Sequence, residues 1–155
     1  MKEKGFSLIE LVIVLVIVGL SISLVTPSLS RFSQAVELKA ATKKISGILR
    51  YYRSEAIQQG KVHQVLFDPN MREVRIQALE LTEEKVLKNK YPIPAGVQIK
   101  EVNIPAPQYP EDFPVIEFYP NGGSNGGSIL LDSQDRKGFR IRVHFLTGMV
   151  VIEAI

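Results

Sequence analysis

The residues best placed to do chemistry stand at the amino terminus, in Gly5-Phe6-Ser7-Leu8-Ile9-Glu10. From Phe6 to Val25 the chain is apolar for 20 residues and holds one ionisable group, Glu10. A helix of that length covers roughly 30 Å, the thickness of a bilayer's hydrocarbon core, so the stretch is expected to span a membrane. A carboxylate inside such a segment costs on the order of a few kcal/mol. Either Glu10 lies shallow and snorkels to the headgroups, or it serves a function with a charged partner. Cutting the chain between Gly5 and Phe6 would leave a new amine on Phe6, one helical turn from Glu10. Those charges could pair within one subunit or between neighbours, and a buried pair formed only on assembly would set register. Lys2 and Lys4 precede the apolar run, which keeps Met1 cytoplasmic and sends the chain after Pro27 outward.

Elsewhere the side chains that could do chemistry lack the spacing for it. Asn121-Gly-Gly-Ser-Asn-Gly-Gly-Ser128 is rich in glycine but lacks the Gly-Lys-Ser/Thr ending of a phosphate-binding loop, and reads as a flexible strand connection. Asp132 and Asp135 do not follow the oxygen-ligand spacing of a calcium loop. His63 and His144 fall on strands without a visible partner motif and read as ordinary strand residues. No nucleophile motif surrounds any serine. The chain has no cysteine, which rules out disulfides, thiolate metal sites and cysteine nucleophiles. Neither an enzymatic activity nor a cofactor nor a metal is expected.

The charge pattern separates a basic stalk from a slightly acidic remainder. The net charge is +3. Arg31 to Lys61 carries seven basic and two acidic residues, and Val62 to Ile155 carries ten basic and twelve acidic ones. The stalk's charge fits a solvated helix face or a basic rim that meets acidic surfaces of neighbouring subunits. Arg136, Lys137, Arg140 and Arg142 form a second basic cluster, and alternation puts Arg140 and Arg142 on a wet strand face with His144. They are candidate DNA contacts, which would be mainly with phosphates and strongly salt-dependent. The acidic balance of the domain and the scarcity of interleaved aromatics weigh against that reading.

These groups must be positioned by one long helix and a β-rich domain. Between Ser28 and Gln59 the pattern is helical, with Gly60 at the cap and Pro27 predicting a kink or local loosening. Two apolar stripes run along it. Leu29, Phe32, Val36 and Ala40 share one face; Leu38, Ala41, Ile45, Leu49, Tyr52 and Ala56 share another. The second stripe is expected to pack on the protein's own sheet. The first either meets neighbouring helices or touches headgroups or folded-back loops. After Gly60 the period changes to two. Strands are expected at Val62–Phe67, Glu73–Leu79, Glu84–Tyr91, Val97–Asn103, Val115–Tyr119, Ser128–Asp132, Gly138–Phe145 and Met149–Ala154. Asp68-Pro69-Asn70-Met71 and Leu146-Thr147-Gly148 are the expected hairpin turns. The proline-rich Ile104–Pro114 is expected to be a loop.

The fold class is therefore α+β: a long, partly transmembrane amino-terminal helix, then an antiparallel β-sheet or β-sandwich domain. The expected divisions are 1–5, a leader; 6–26, the membrane helix; 27–60, its amphipathic continuation; and 61–155, the β-rich domain.

Gly5-Phe6-Ser7-Leu8-Ile9-Glu10 followed by an apolar run closely resembles the amino terminus of type IV prepilins and type II secretion pseudopilins. An ordinary secretory signal would place its cleavage site after the apolar run, where Thr26-Pro27-Ser28 is a poor match. The resemblance implies cleavage after Gly5 by a prepilin peptidase, N-methylation of Phe6, and Glu10 as the carboxylate that meets another subunit's Phe6 amine. It also implies helix melting between Gly19 and Pro27 during assembly. Phe118-Tyr119-Pro120-Asn121-Gly122, the glycine loop and the Thr147-Gly148 turn resemble the GspH/FimT group of minor pseudopilins and minor pilins. That resemblance implies a pilin-like fold and a structural subunit. In one branch it serves near the tip of a short periplasmic pseudopilus in protein export. The other branch is a minor type IV pilin in pilus assembly or DNA uptake. Implied partners are other pseudopilins or minor pilins, the prepilin peptidase and the inner membrane, with nucleic acid permitted. The implied location is the bacterial inner membrane, crossed once, with the carboxyl-terminal domain periplasmic.

Overall fold

The computed structural model describes residues 6–68, 70, 72–79, 85–105, 113–133 and 136–155, of which 23–31, 79, 85–88 and 136–137 are described by their backbone alone. The leader, the cut at Gly5 and the turn residues Pro69 and Met71 therefore lie outside the described residues. So do Asp135, Pro107 and Pro110, and the side chains of Leu29, Arg136 and Lys137.

Helix α1 runs over Leu8–Gln59, 52 residues. Ser7 begins it: the Glu10 amide donates to the Ser7 hydroxyl at 3.3 Å and to the Ser7 carbonyl at 3.1 Å. A serine followed three residues later by glutamate is the spacing of a capping box, which satisfies amides that the first turn leaves open. The backbone stays helical through Gly19 and Pro27. The loosening expected at Pro27 does not interrupt the helix. Gly60, at φ 63°, ends it in the left-handed conformation that glycine adopts without steric cost.

Compaction divides the chain into two units, Met1–Ser33 and Gln34–Ile155. The helical residues from Gln34 onward thus belong with the strands, not with the apolar half of α1. In the first unit every described side chain from Phe6 to Ile22 is exposed. Among the described residues, no helix is long and apolar enough to cross a membrane.

The second unit adds eight strands: β1 His63–Asp68, β2 Glu73–Leu79, β3 Lys85–Pro92, β4 Gln98–Asn103, β5 Val115–Phe118, β6 Gly127–Ser133, β7 Arg136–Val143 and β8 Val150–Ala154. They form two four-stranded antiparallel sheets, ordered β3-β2-β1-β5 and β4-β6-β7-β8. The expected hairpin between β1 and β2 is present, and its Asp68 carboxylate accepts from the Asn70 amide at 3.0 Å, an Asx turn. Seven of the eight expected strands agree within a residue or so at each end. β7 differs. It begins at Arg136 and stops at Val143, because the Gly148 amide bonds the His144 carbonyl at 2.8 Å and draws the chain into a turn. Phe145, which strict alternation would bury, consequently lies 63% exposed.

Both sheets and the helix share one core. Leu38, Ala41, Ile45, Leu49, Tyr52 and Ala56, the second stripe, are all buried in it, joined by Ile48. They meet Val65, Phe67, Val74, Ile76, Ile116 and Phe118 of the first sheet and Ile129, Leu131, Ile141, Val143 and Val150 of the second. β1 is buried along its whole length. On its outer side Leu66 is apolar, and the two polar residues are answered locally: Arg75 lies 3.0 Å from the Asp68 carboxylate and stacks 5.6 Å from the Phe113 ring centre, while Gln64 donates to Glu117 at 2.8 Å.

Candidate functional site

The first candidate surface is the uncovered side of α1. Its two stripes have opposite fates. The second is enclosed by the sheets, whereas Phe32 is 66% and Val36 51% exposed and Ala40 is exposed as well. At about 100° per residue, Val36 and Ile45 point to opposite sides, so one sheet-covered core can enclose only one of them. Thr42 and Ser46, polar yet buried, flank the enclosed stripe; the Thr42 hydroxyl donates to the Leu38 carbonyl at 2.8 Å. Toward the amino terminus, Phe6 is 80% exposed and Glu10 is exposed. The sequence marks Glu10 as an intramembrane carboxylate. Sequence reasoning missed its capping relation to Ser7, although Ser-x-x-Glu before an apolar run is the signal for it.

A second construction joins α1 to the glycine loop and to the turn between β7 and β8. The Arg53 Nε donates to the carbonyls of Gly122, 3.1 Å, and Thr147, 2.8 Å, and an Arg50 terminal nitrogen donates to the Val150 carbonyl at 3.0 Å. Gly148 is required there: its φ is +60°, and a Cβ on it would lie 2.6 Å from the Gly122 carbonyl oxygen. The glycine loop is not the flexible connection that its composition predicts. Gly122, Gly123, Ser124 and Gly126 are buried, the Ser124 amide bonds the Phe145 carbonyl at 3.0 Å, and the Asn125 side chain bridges to the Glu117 amide and the Val115 carbonyl, each at 2.9 Å. Glycines serve close approach here, not mobility. Arg50 and Arg53 looked like solvated stalk charges because the carbonyls they bind lie about 70 to 100 residues away in sequence.

Of the basic cluster near the carboxyl end, Arg142 is answered by acid. Register places Arg140 opposite Glu153, and Arg142 pairs with the Glu153 carboxylate at 3.1 Å. On the other edge of the same sheet Lys100 lies 3.0 Å from Asp132. That hydrogen bond holds the Asp132 carboxyl below its ordinary pKa. The described wet face is thus a mosaic of both signs.

Beneath the helix, Tyr52 is 2% exposed and accepts from the Asn89 side chain at 2.8 Å, with the Tyr91 hydroxyl 3.5 Å away. Burial, then the Tyr91 contact, pushes its phenol up to about 12. His63, fully buried, lies with its ring centre 5.6 Å from that of Tyr52. Among the described residues no three His, Asp or Glu side chains are grouped as metal ligands.

Three comparisons bear on these surfaces. Residues 1–26 match the prokaryotic N-terminal methylation motif. Over 147 residues the chain is 28% identical to the type II secretion system protein H of Xanthomonas campestris pv. campestris, covering 95% of this chain and 81% of that protein. The fold is similar to the minor pseudopilin EpsH of the type 2 secretion system of Vibrio cholerae, with a TM-score of 0.63 at 17% identity over 76% of this chain and 97% of that one. It is also similar to the type IV minor pilin FimU of Pseudomonas aeruginosa, with a TM-score of 0.59 at 16% identity over 80% of this chain and 96% of that one. The solved structures speak to the fold, which is type IV pilin-like, the motif to the amino terminus, and the relative to nearly the whole chain, which is similar throughout to a type II secretion protein H.

Proposed function

We propose that this protein is a minor pseudopilin, a structural subunit of a type II secretion pseudopilus near its tip, and that it assists protein export across the outer membrane. Two observations carry the reading: in the first unit every described side chain from Phe6 to Ile22 is exposed although nearly all are apolar, and in the second unit Val36 is 51% exposed while Leu38, Ile45 and Leu49 are buried in the core shared with the sheets. A helix with such a surface calls for lipid, then neighbouring helices. In this reading residues 1–5 are a leader, cut after Gly5 by a prepilin peptidase, and Phe6 is then N-methylated. Residues 6–26 cross the bacterial inner membrane once, 27–60 continue the helix, and 61–155 form the periplasmic domain. During assembly the Phe6 amine of one subunit meets Glu10 of another, and Gly19 to Pro27 loosens. Other pseudopilins and the prepilin peptidase are its partners.

The likeness to FimU favours one second reading, service in a type IV pilus. DNA contact through Arg136, Lys137, Arg140 and Arg142 is the weaker part of that reading, since Glu153 answers Arg142. The test has two parts. Intact mass of the membrane-extracted protein is expected to lack residues 1–5 and carry one added methyl group; retention of Met1 to Gly5 would refute processing. In a source strain lacking the chain, exoproteins are expected to accumulate in the periplasm with DNA uptake intact. Normal secretion with lost uptake or lost pili would transfer the protein to the pilus reading.

A further inference from the structure

The carboxyl-terminal end of α1, the glycine loop and the turn between β7 and β8 meet in an apolar patch that the domain itself does not cover. Ile57 is 46% exposed, Phe145 63%, Leu146 73% and Met149 59%. The patch is held, not frayed. Arg53 ties Gly122 and Thr147 to the helix through one Nε, and Ile57 approaches Gly122, whose added Cβ would lie 3.3 Å from the Ile57 Cδ1. A Cβ on Gly126 would likewise lie 3.2 Å from the Phe145 Cα.

We propose that this end of the domain is a docking surface for a different subunit of the same filament, one that presents carboxylates beside apolar side chains. The argument is charge complementarity. Arg50 and Arg53 donate to backbone carbonyls, and among the described residues no carboxylate is paired with either guanidinium. His144, exposed and within 3.3 Å of the Thr147 hydroxyl, adds a polar group at the rim. The turn from His144 to Met149 contains no acidic residue. Two copies of this chain joined through the patch would set arginine against arginine, so a symmetric self-contact is disfavoured and a complementary partner is required. Arginine, methionine and an aromatic ring around a rigid turn is also the composition of a protein interface core, and the arginine fork suits a carboxylate. A membrane-seeking surface would instead carry lysines and tryptophan at its rim.

The proposal rests on the pseudopilin reading, and its test separates the two. The chain has no native cysteine, so the single variants Leu146→Cys and Phe32→Cys can each carry a maleimide–benzophenone probe in the full-length protein. Membranes of the source cells are irradiated and the adducts sequenced. Leu146→Cys is expected to label another subunit of the filament, on a peptide containing Asp or Glu. Adding Arg50→Gln, which removes the charge and keeps an amide donor for the Val150 carbonyl, is expected to lower that yield about tenfold, with processing and abundance unchanged. Labelling of a second copy, of lipid or of nothing at Leu146→Cys, while Phe32→Cys labels a filament subunit, would overturn the surface and leave the pseudopilin reading intact. So would a yield indifferent to Arg50→Gln. No subunit adduct from either position, with residues 1–5 retained, would overturn the pseudopilin reading itself.

Discussion

Truncating each apolar stripe of α1 should separate folding from assembly. Leu49 is 0% exposed and belongs to the core that joins both sheets, whereas Phe32, in the other stripe, is 66% exposed. Leu49→Ala removes three buried carbons, worth about 2 kcal/mol at ~0.8 kcal/mol per methylene, and leaves a cavity among residues from three elements. The expected loss is about 3 kcal/mol, within the range for leucine truncation in a closed core. In a soluble fragment of residues 28–155 that corresponds to a fall in Tm of about 10 °C. Phe32→Ala removes a ring already mostly in water and should cost roughly 0.5 kcal/mol or less. Denaturant unfolding of the fragment measures both, and co-assembly of the full chain is followed separately. Phe32→Ala should leave the fragment intact and impair co-assembly. Comparable destabilisation by the two substitutions, or a Leu49→Ala cost under about 1 kcal/mol, would refute the division of the helix into an inner and an outer face.

Other tests probe particular contacts. Gly148→Ala should destabilise the domain by about 2 kcal/mol, since it combines a left-handed backbone with a 2.6 Å approach to the Gly122 carbonyl oxygen. Gly47→Ala, in an exposed helical position with open space around its Cβ, should stabilise by up to ~1 kcal/mol in the same melting series. The raised pKa of Tyr52 means that its contribution is complete below its ordinary value near 10 and disappears as pH rises through about 12. Alkaline unfolding of Tyr52→Phe should therefore show a shallower pH dependence than the parent. The lowered pKa of Asp132 has the opposite sense: its contribution is present above 3.8 and is lost as pH falls through the lower folded value. Asp132→Asn should remove that acid-limb component, at most ~1 kcal/mol for a pair so open to solvent.

Several elements are legible in the amino-acid sequence because their information is local. The amino-terminal junction is six consecutive residues, the helical stripe repeats at intervals of three and four, and β2 alternates within its own sequence. The turn after His144 is legible as Thr147-Gly148, but its extent is not, because a backbone bond from Gly148 to His144 ends β7 two residues before the alternation does. Composition also misjudges the glycine loop. Its glycines look permissive in sequence, and become tightly held only when Arg53, Phe145 and Asn125 are brought beside them.

By itself the sequence determined that an apolar segment bearing one carboxylate leads into a helix with two unlike faces and then into short alternating strands, since hydrophobic periodicity and turn chemistry act over a few residues. Tertiary structure alone decided which helical face is covered, which arginines of the stalk are spent on distant carbonyls, and which basic side chains on the second sheet meet acid. Those outcomes depend on strand order and register, which join residues up to about 100 positions apart, and no local pattern encodes a distance of that kind.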